Sequence, residues 1–241
     1  MTMNKAKLLS TYLLAGLILS VSNPYGYASA QIPSAPLPLS EYSSIIGFNP
    51  PPDNGSPNRT RSGATRDGSC EGYAFTLDDS VGLTTEEQLV LHLYLPTPED
   101  EGSAVDRVAL SMKTPDGSEI YETRVDLADS EGIVKVNLPE ALPALELEKE
   151  YVWSAVLMCN GQLSPGSPVL TGAIRRVAPM MTAEQMATTS LSHRSALYGE
   201  SGLWYDWITS LAMLRIEDPS DSRLFEMGQH LQSIADSQKQ G

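Results

Sequence analysis

From Tyr73 to Val177 apolar and polar residues alternate with a period of two, the pattern of strands that bury one face. Leu89, Leu91, Leu93 and Leu95 alternate with Val90, His92 and Tyr94, and Pro96 ends the run. Val108, Leu110 and Met112 alternate in the next run, and Pro115-Asp116-Gly117-Ser118 separates it from Glu119 to Asp126. An Asp-Gly pair between two extended runs predicts a hairpin. Glu131-Gly132 opens another strand, with Val134, Val136 and Leu138 on one face. Tyr151, Trp153, Ala155, Leu157 and Cys159 share a face in the following run, and Pro168 to Val177 makes the last. With Tyr73 to Leu77 this gives about seven short strands bounded by turn residues. Such a count and spacing predict an antiparallel β-sandwich, here over residues 70–178.

Beyond Pro179 the period becomes helical. Thr182-Ala183-Glu184-Gln185 reads as a capping box opening a helix toward Tyr198. Gly199 and Gly202 flank a break, after which Leu203, Trp207, Leu211 and Leu214 recur at helical spacing until Pro219. Ser220 or Asp221 is placed to cap a third helix carrying Leu224, Phe225, Leu231 and Ile234. A hairpin this short is marginal alone in water, so residues 179–236 are expected to pack on the sandwich as part of the folded unit. Two details refine the architecture. Leu145 precedes Tyr151 by six residues, and Tyr151 starts a strand containing Trp153. That spacing resembles the tyrosine corner of immunoglobulin-like and fibronectin type III domains, where the Tyr hydroxyl bonds upstream backbone. Tyr198, Gly202, Trp204, Leu211 and Pro219 fall at the spacing of a tetratricopeptide repeat, which the chain departs from by placing Trp207 and Leu214 at the two small-residue sites. The expected fold is therefore mainly β with C-terminal helices: an immunoglobulin-like antiparallel β-sandwich followed by a tetratricopeptide-like helical hairpin.

The chain begins with Lys5 and Lys7, an apolar run from Leu8 to Val21, and Ala28-Ser29-Ala30. Basic start, short apolar stretch and small-x-small exit together read as a secretory signal peptide over residues 1–30. The apolar run is short for a membrane span, so no stable span is expected after cleavage, and a periplasmic or extracellular location follows. Residues 31–69 are rich in Pro, Ser, Gly and Asn and read as a flexible linker. Arg59, Arg61 and Arg66 make that stretch basic; docking on an acidic domain and a solvated tail are its two readings.

Charge narrows the partners. The whole chain carries −14, and removal of the leader, with two Lys and no acid, leaves −16. From Glu71 to Cys159 there are 19 acids and five bases. Such a surface repels nucleic acid and anionic head groups. Cys70 and Cys159 are the two cysteines, and in an oxidising compartment a disulfide is favoured over two buried thiols. Neither has a second Cys or a His at zinc-ligand spacing. Asp126, Asp129, Glu131 and Asn137 offer oxygen ligands, but not at the spacing of an EF-hand loop, and read as a solvated turn. Pro98-Glu99-Asp100-Glu101-Gly102 reads likewise as a loop.

No Gly-x-Ser-x-Gly, His-Glu-x-x-His, Walker or dinucleotide motif is present. His92, His193 and His230 are scattered, and a mid-strand histidine such as His92 reads as packed or solvated. No catalytic residue, metal site or cofactor is expected. Trp204, Tyr205 and Trp207 are the candidate binding residues, although aromatics at helical spacing more often fill a core.

The segment from about Arg59 to Ala235 resembles a cyanobacterial family known as domain of unknown function 928. The residues that carry the resemblance are the Arg- and Gly-containing stretch before Cys70, Leu91-His92-Leu93-Tyr94-Leu95-Pro96, Ser130-Glu131-Gly132-Ile133 and Tyr151-Val152-Trp153-Ser154 running to Cys159. Gly202-Leu203-Trp204-Tyr205-Asp206-Trp207 with Leu211-Ala212-Met213-Leu214-Arg215 completes the set. The family usually shows a small residue where Trp207 stands. The resemblance implies a secreted or envelope protein and supplies no activity. The functional expectation is a non-enzymatic protein acting in protein–protein interaction, with another envelope protein as partner. The alternative is a glycan-binding or glycan-processing accessory domain that uses its aromatics as a platform. A secreted hydrolase using paired carboxylates ranks third.

Overall fold

The alternating runs form two sheets. The computed structural model describes residues 39–51, 70–77, 80–98, 103–114, 116–127, 130–139 and 143–239. The expected leader lies outside these residues, as does most of the 31–69 stretch. One sheet orders its strands β1-β3-β6, from β1 (Tyr73–Ala74), β3 (Leu91–Leu95) and β6 (Gly132–Val136). The other orders β2-β8-β7-β4-β5, from β2 (Gly82–Thr84), β4 (Val105–Lys113), β5 (Glu119–Asp126), β7 (Glu150–Cys159) and β8 (Val169–Arg176). The chain is mainly β, with several helices toward its C-terminus.

Period-two patterning explains which faces meet. On β7 the residues Tyr151, Trp153, Ala155 and Leu157 are buried, and on β4 Val108, Leu110 and Met112 are buried. β3 is buried on both faces. Leu95 and the β7 residue Leu157 come together over Gly72, where an added Cβ would sit 2.8 Å and 2.5 Å from their methyl carbons. The opposite face of β3 carries His92 and Tyr94 and lies under helix α5 (Arg223–Lys239). The Tyr94 ring meets Phe225 edge-on at 5.8 Å, and a Cβ at Gly228 would lie 2.4 Å from that ring. A strand covered on both sides has no solvent face to keep polar, which accounts for the sequence Leu-His-Leu-Tyr-Leu.

Among the named strands, one pairing is not antiparallel. β2 runs parallel to β8, with Gly82 opposite Ile174 and Thr84 opposite Arg176. The expectation of an antiparallel arrangement is corrected at this edge, and β2 itself was not foreseen, because three residues are too few to display a period. The Asp116-Gly117 turn joins β4 to β5 as expected, with Gly117 at φ 87°. The Tyr151 hydroxyl accepts a hydrogen bond from the Glu146 N–H at 3.1 Å, the upstream backbone bond that its spacing from buried Leu145 predicts.

Helix α2 (Ala183–Thr188) opens with the expected capping box: the Thr182 side chain accepts from Gln185 N–H and the Gln185 side chain accepts from Thr182 N–H. The helix does not continue to Tyr198. Thr188 and Thr189 turn their hydroxyls back onto the carbonyls of Glu184 and Gln185, and Ser190 caps a new helix, α3 (Leu191–Glu200). Such side-chain bonds compete with helix propagation. Helix α4 (Trp204–Glu217) follows a tight turn, and the Asp221 carboxylate accepts the Arg223 N–H at the start of α5. Gly199 on α3 faces Trp207 of α4, with the position of its missing Cβ 3.1 Å from the indole nitrogen.

The linker expectation for residues 31–69 does not hold across its middle. Leu39–Ile45 is helix α1, and both Leu39 and Phe48 are buried. One core cluster runs from Leu39 through both sheets to Ala235. Two apolar anchors in a Pro- and Ser-rich stretch give no periodic signal, so only tertiary contact explains this ordering.

Candidate functional site

The first turn of α4 enters the sheets with four consecutive residues. Trp204, Tyr205, Asp206 and Trp207 are exposed by 0, 4, 4 and 1 %. An amphipathic helix would leave one of these positions in water, so this turn is enclosed on every side. The Trp204 indole donates to the Phe75 carbonyl at 3.1 Å, beyond β1. The Tyr205 hydroxyl donates to the Ala173 carbonyl of β8 at 3.0 Å and accepts from the Trp153 indole of β7 at 2.8 Å. Burial raises the Tyr205 hydroxyl well above its ordinary pKa, so it stays a neutral donor. Gly82 on β2 makes this insertion feasible, since an added Cβ would lie 2.4 Å from the Tyr205 ring.

Asp206 latches the same turn to the segment after β2. Its carboxyl oxygens accept the Thr85 N–H at 3.0 and 3.2 Å, and the Thr85 hydroxyl donates to it as well. Burial raises its pKa, while the bonds from Thr85 and Thr84 pull it down. Its place in the first turn of α4 also favours negative charge. Helical spacing gives no hint that Asp206 is buried. The available signal was its position: an acid in a helix's first turn, without a side-chain cap before it.

These contacts correct the candidate binding residues. Trp204, Tyr205 and Trp207 are interior, and Trp153 is too, so none of the three tryptophans offers a surface for a sugar ring. His92 is also buried, and its Nδ1 has no hydrogen-bond partner. Burial, with a smaller contribution from Lys135 on the neighbouring strand, lowers its pKa to about 4. It is therefore a neutral imidazole within a sheet, packed as its mid-strand position suggested.

Cys70 and Cys159 form a disulfide with Cα atoms 6.0 Å apart. It ties the segment leading into β1 to the last residue of β7, and so joins one sheet to the other. Of the oxygen ligands considered for calcium, Asp126 pairs with Arg107 at 2.7 Å, and Asp129 lies outside the described residues. Among the described residues no group of three His, Cys, Asp or Glu is placed to hold a metal ion.

Residues 57–238 match the family described as Domain of Unknown Function (DUF928). The chain belongs to that family. Of the segments that carry the resemblance to DUF928, three fall on β3, on β7 and on the first turn of α4. A comparison with curated proteins finds no match to this DUF928 chain. Among the described residues no helix is long and apolar enough to cross a membrane.

With the aromatics inside, the surface chemistry of the DUF928 sheets is acidic. Glu86, Glu87, Asp116, Glu122, Asp126, Glu131, Glu146 and Glu148 are exposed. Salt bridges engage some of them: Arg107 with Asp126, Lys149 with Glu146 and Arg176 with Glu87. Exposed pairs of this kind contribute little to stability.

Proposed function

We propose that this is a non-enzymatic protein of the periplasm or cell exterior, released from a leader over residues 1–30, whose acidic sheet surface binds a basic partner protein. The observation that carries the reading is the excess of 19 acids over five bases between Glu71 and Cys159. A field of that sign repels nucleic acid and anionic lipid and attracts a cationic protein face. The leader pattern and the disulfide support an oxidising compartment, and the family resemblance supports a cyanobacterial envelope. The partner is another envelope protein.

We read the two sheets as an immunoglobulin-like sandwich. The orders β1-β3-β6 and β2-β8-β7-β4-β5, with the Tyr151 corner at the start of β7, support that reading. The α3–α4 pair is read as tetratricopeptide-like, with Gly199 supplying the clearance that a small residue at 207 otherwise would. Interaction modules are common on such folds. The glycan-binding alternative loses its basis with the burial of Trp204, Tyr205 and Trp207.

Affinity capture tests the reading. The mature chain is immobilised, exposed to envelope extract and eluted with rising salt. A basic protein should elute at moderate salt, and the charge-reversed chain with Glu122→Lys, Glu131→Lys and Glu148→Lys should fail to retain it. Retention that is insensitive to both salt and charge reversal would overturn the proposal.

A further inference from the structure

Residues 39–51 precede the region matched by the family, which starts at residue 57, yet they are seated in the helices of the folded unit. Phe48 fills a gap between two indoles, edge-on to Trp204 at 4.8 Å and tilted on Trp207 at 5.2 Å. Tyr42 stacks on His230 of α5 at 4.1 Å. The Asn49 N–H donates to the Gly199 carbonyl at 2.9 Å. Space for this backbone comes from a missing side chain: a Cβ at Gly199 would lie 2.4 Å from the Gly47 carbonyl oxygen. Glycine inside a helix costs stability relative to alanine, so its presence in α3 suits a close backbone approach.

We propose that α3, α4 and α5 form a peptide-binding groove, and that residues 39–51 occupy it as a built-in ligand. The groove lies on the helices rather than on the acidic sheets, so the inference stands independently of the reading above. Helix α1, at seven residues, is too short to hold its shape alone and is ordered by the surface it lies on. An aromatic anchor in a desolvated pocket with one backbone hydrogen bond is how short peptides are commonly held. The connection to Cys70 runs through residues 52–69, and 18 residues reach up to about 60 Å when extended. A segment of the same chain competes intramolecularly with any added peptide. Any peptide that displaces it must therefore share its chemistry: a short apolar helical turn, followed by Phe and a Pro-containing extended segment that leaves one backbone N–H for Gly199.

The test uses the mature chain with a specific protease site placed at Gly63. After cutting, a fluorescent peptide of residues 37–52 is added, and its incorporation is followed by anisotropy and gel filtration. The labelled peptide should exchange into the cut protein, and a Phe48→Ala peptide should bind at least tenfold more weakly. The uncut chain should take up no peptide at micromolar concentrations, whereas the uncut Phe48→Ala chain should bind it. A cut protein that stays folded but takes up no labelled peptide would overturn the proposal. So would loss of cooperative unfolding on cutting, which would make residues 39–51 a fixed part of the core.

Discussion

Acidification should destabilise this protein through His92, by an amount that its environment sets. The imidazole is buried in β3, its Nδ1 lacks a partner, and Lys135 stands opposite it on β6. Its pKa falls from an ordinary 6.5 to about 4 in the folded chain, chiefly by burial. The folded state therefore binds a proton less readily than the unfolded one. Stability linked to this group is intact above pH 6.5, declines as pH falls below it, and stops declining near pH 4, where the folded imidazole also protonates. Between pH 7.5 and 4.5 the loss is on the order of 2 kcal/mol. Other groups titrate over the same range, so the assay is a double difference. Urea unfolding of wild type and His92→Leu is measured at both pH values, leucine having similar bulk and no charge. The pH-induced loss should be smaller in the variant by about 2 kcal/mol. Equal losses in the two proteins would refute a neutral, desolvated His92.

Three further outcomes follow from the same contacts. Tyr151→Phe removes the acceptor of the Glu146 N–H and should lower stability by about 1–2 kcal/mol in urea unfolding; an unchanged midpoint would deny that bond a role. The Cys70–Cys159 bond spans 89 residues, and its removal should cost roughly 4 kcal/mol by loop entropy; thiol labelling of the non-reduced, denatured protein should find no free thiol. Asp206→Ala leaves the buried Thr85 N–H without its acceptor and should cost about 2 kcal/mol, read from the shift in the thermal midpoint.

What could be read from the chain alone has a local or periodic cause. The inward face of β7 follows from alternation, because each step along a strand reverses the side chain. The Thr182–Gln185 capping box is complete within four residues, and the Tyr151 bond closes over five. With only two cysteines, a disulfide has a single intrachain pairing. Tertiary structure decided the rest. β2 is a strand because β8 lies beside it, and its three residues carry no pattern of their own. Asp206 is buried because Thr85, 121 residues earlier, supplies its donors. Phe48 is buried because two indoles and Gly199 leave a space of its shape. Trp204, Tyr205 and Trp207 carry the same side chains whether they face water or a sheet. Helical spacing shows that they are neighbours, but not what covers them. That depends on chain segments more than a hundred residues away, such as Phe75, whose carbonyl receives the Trp204 indole.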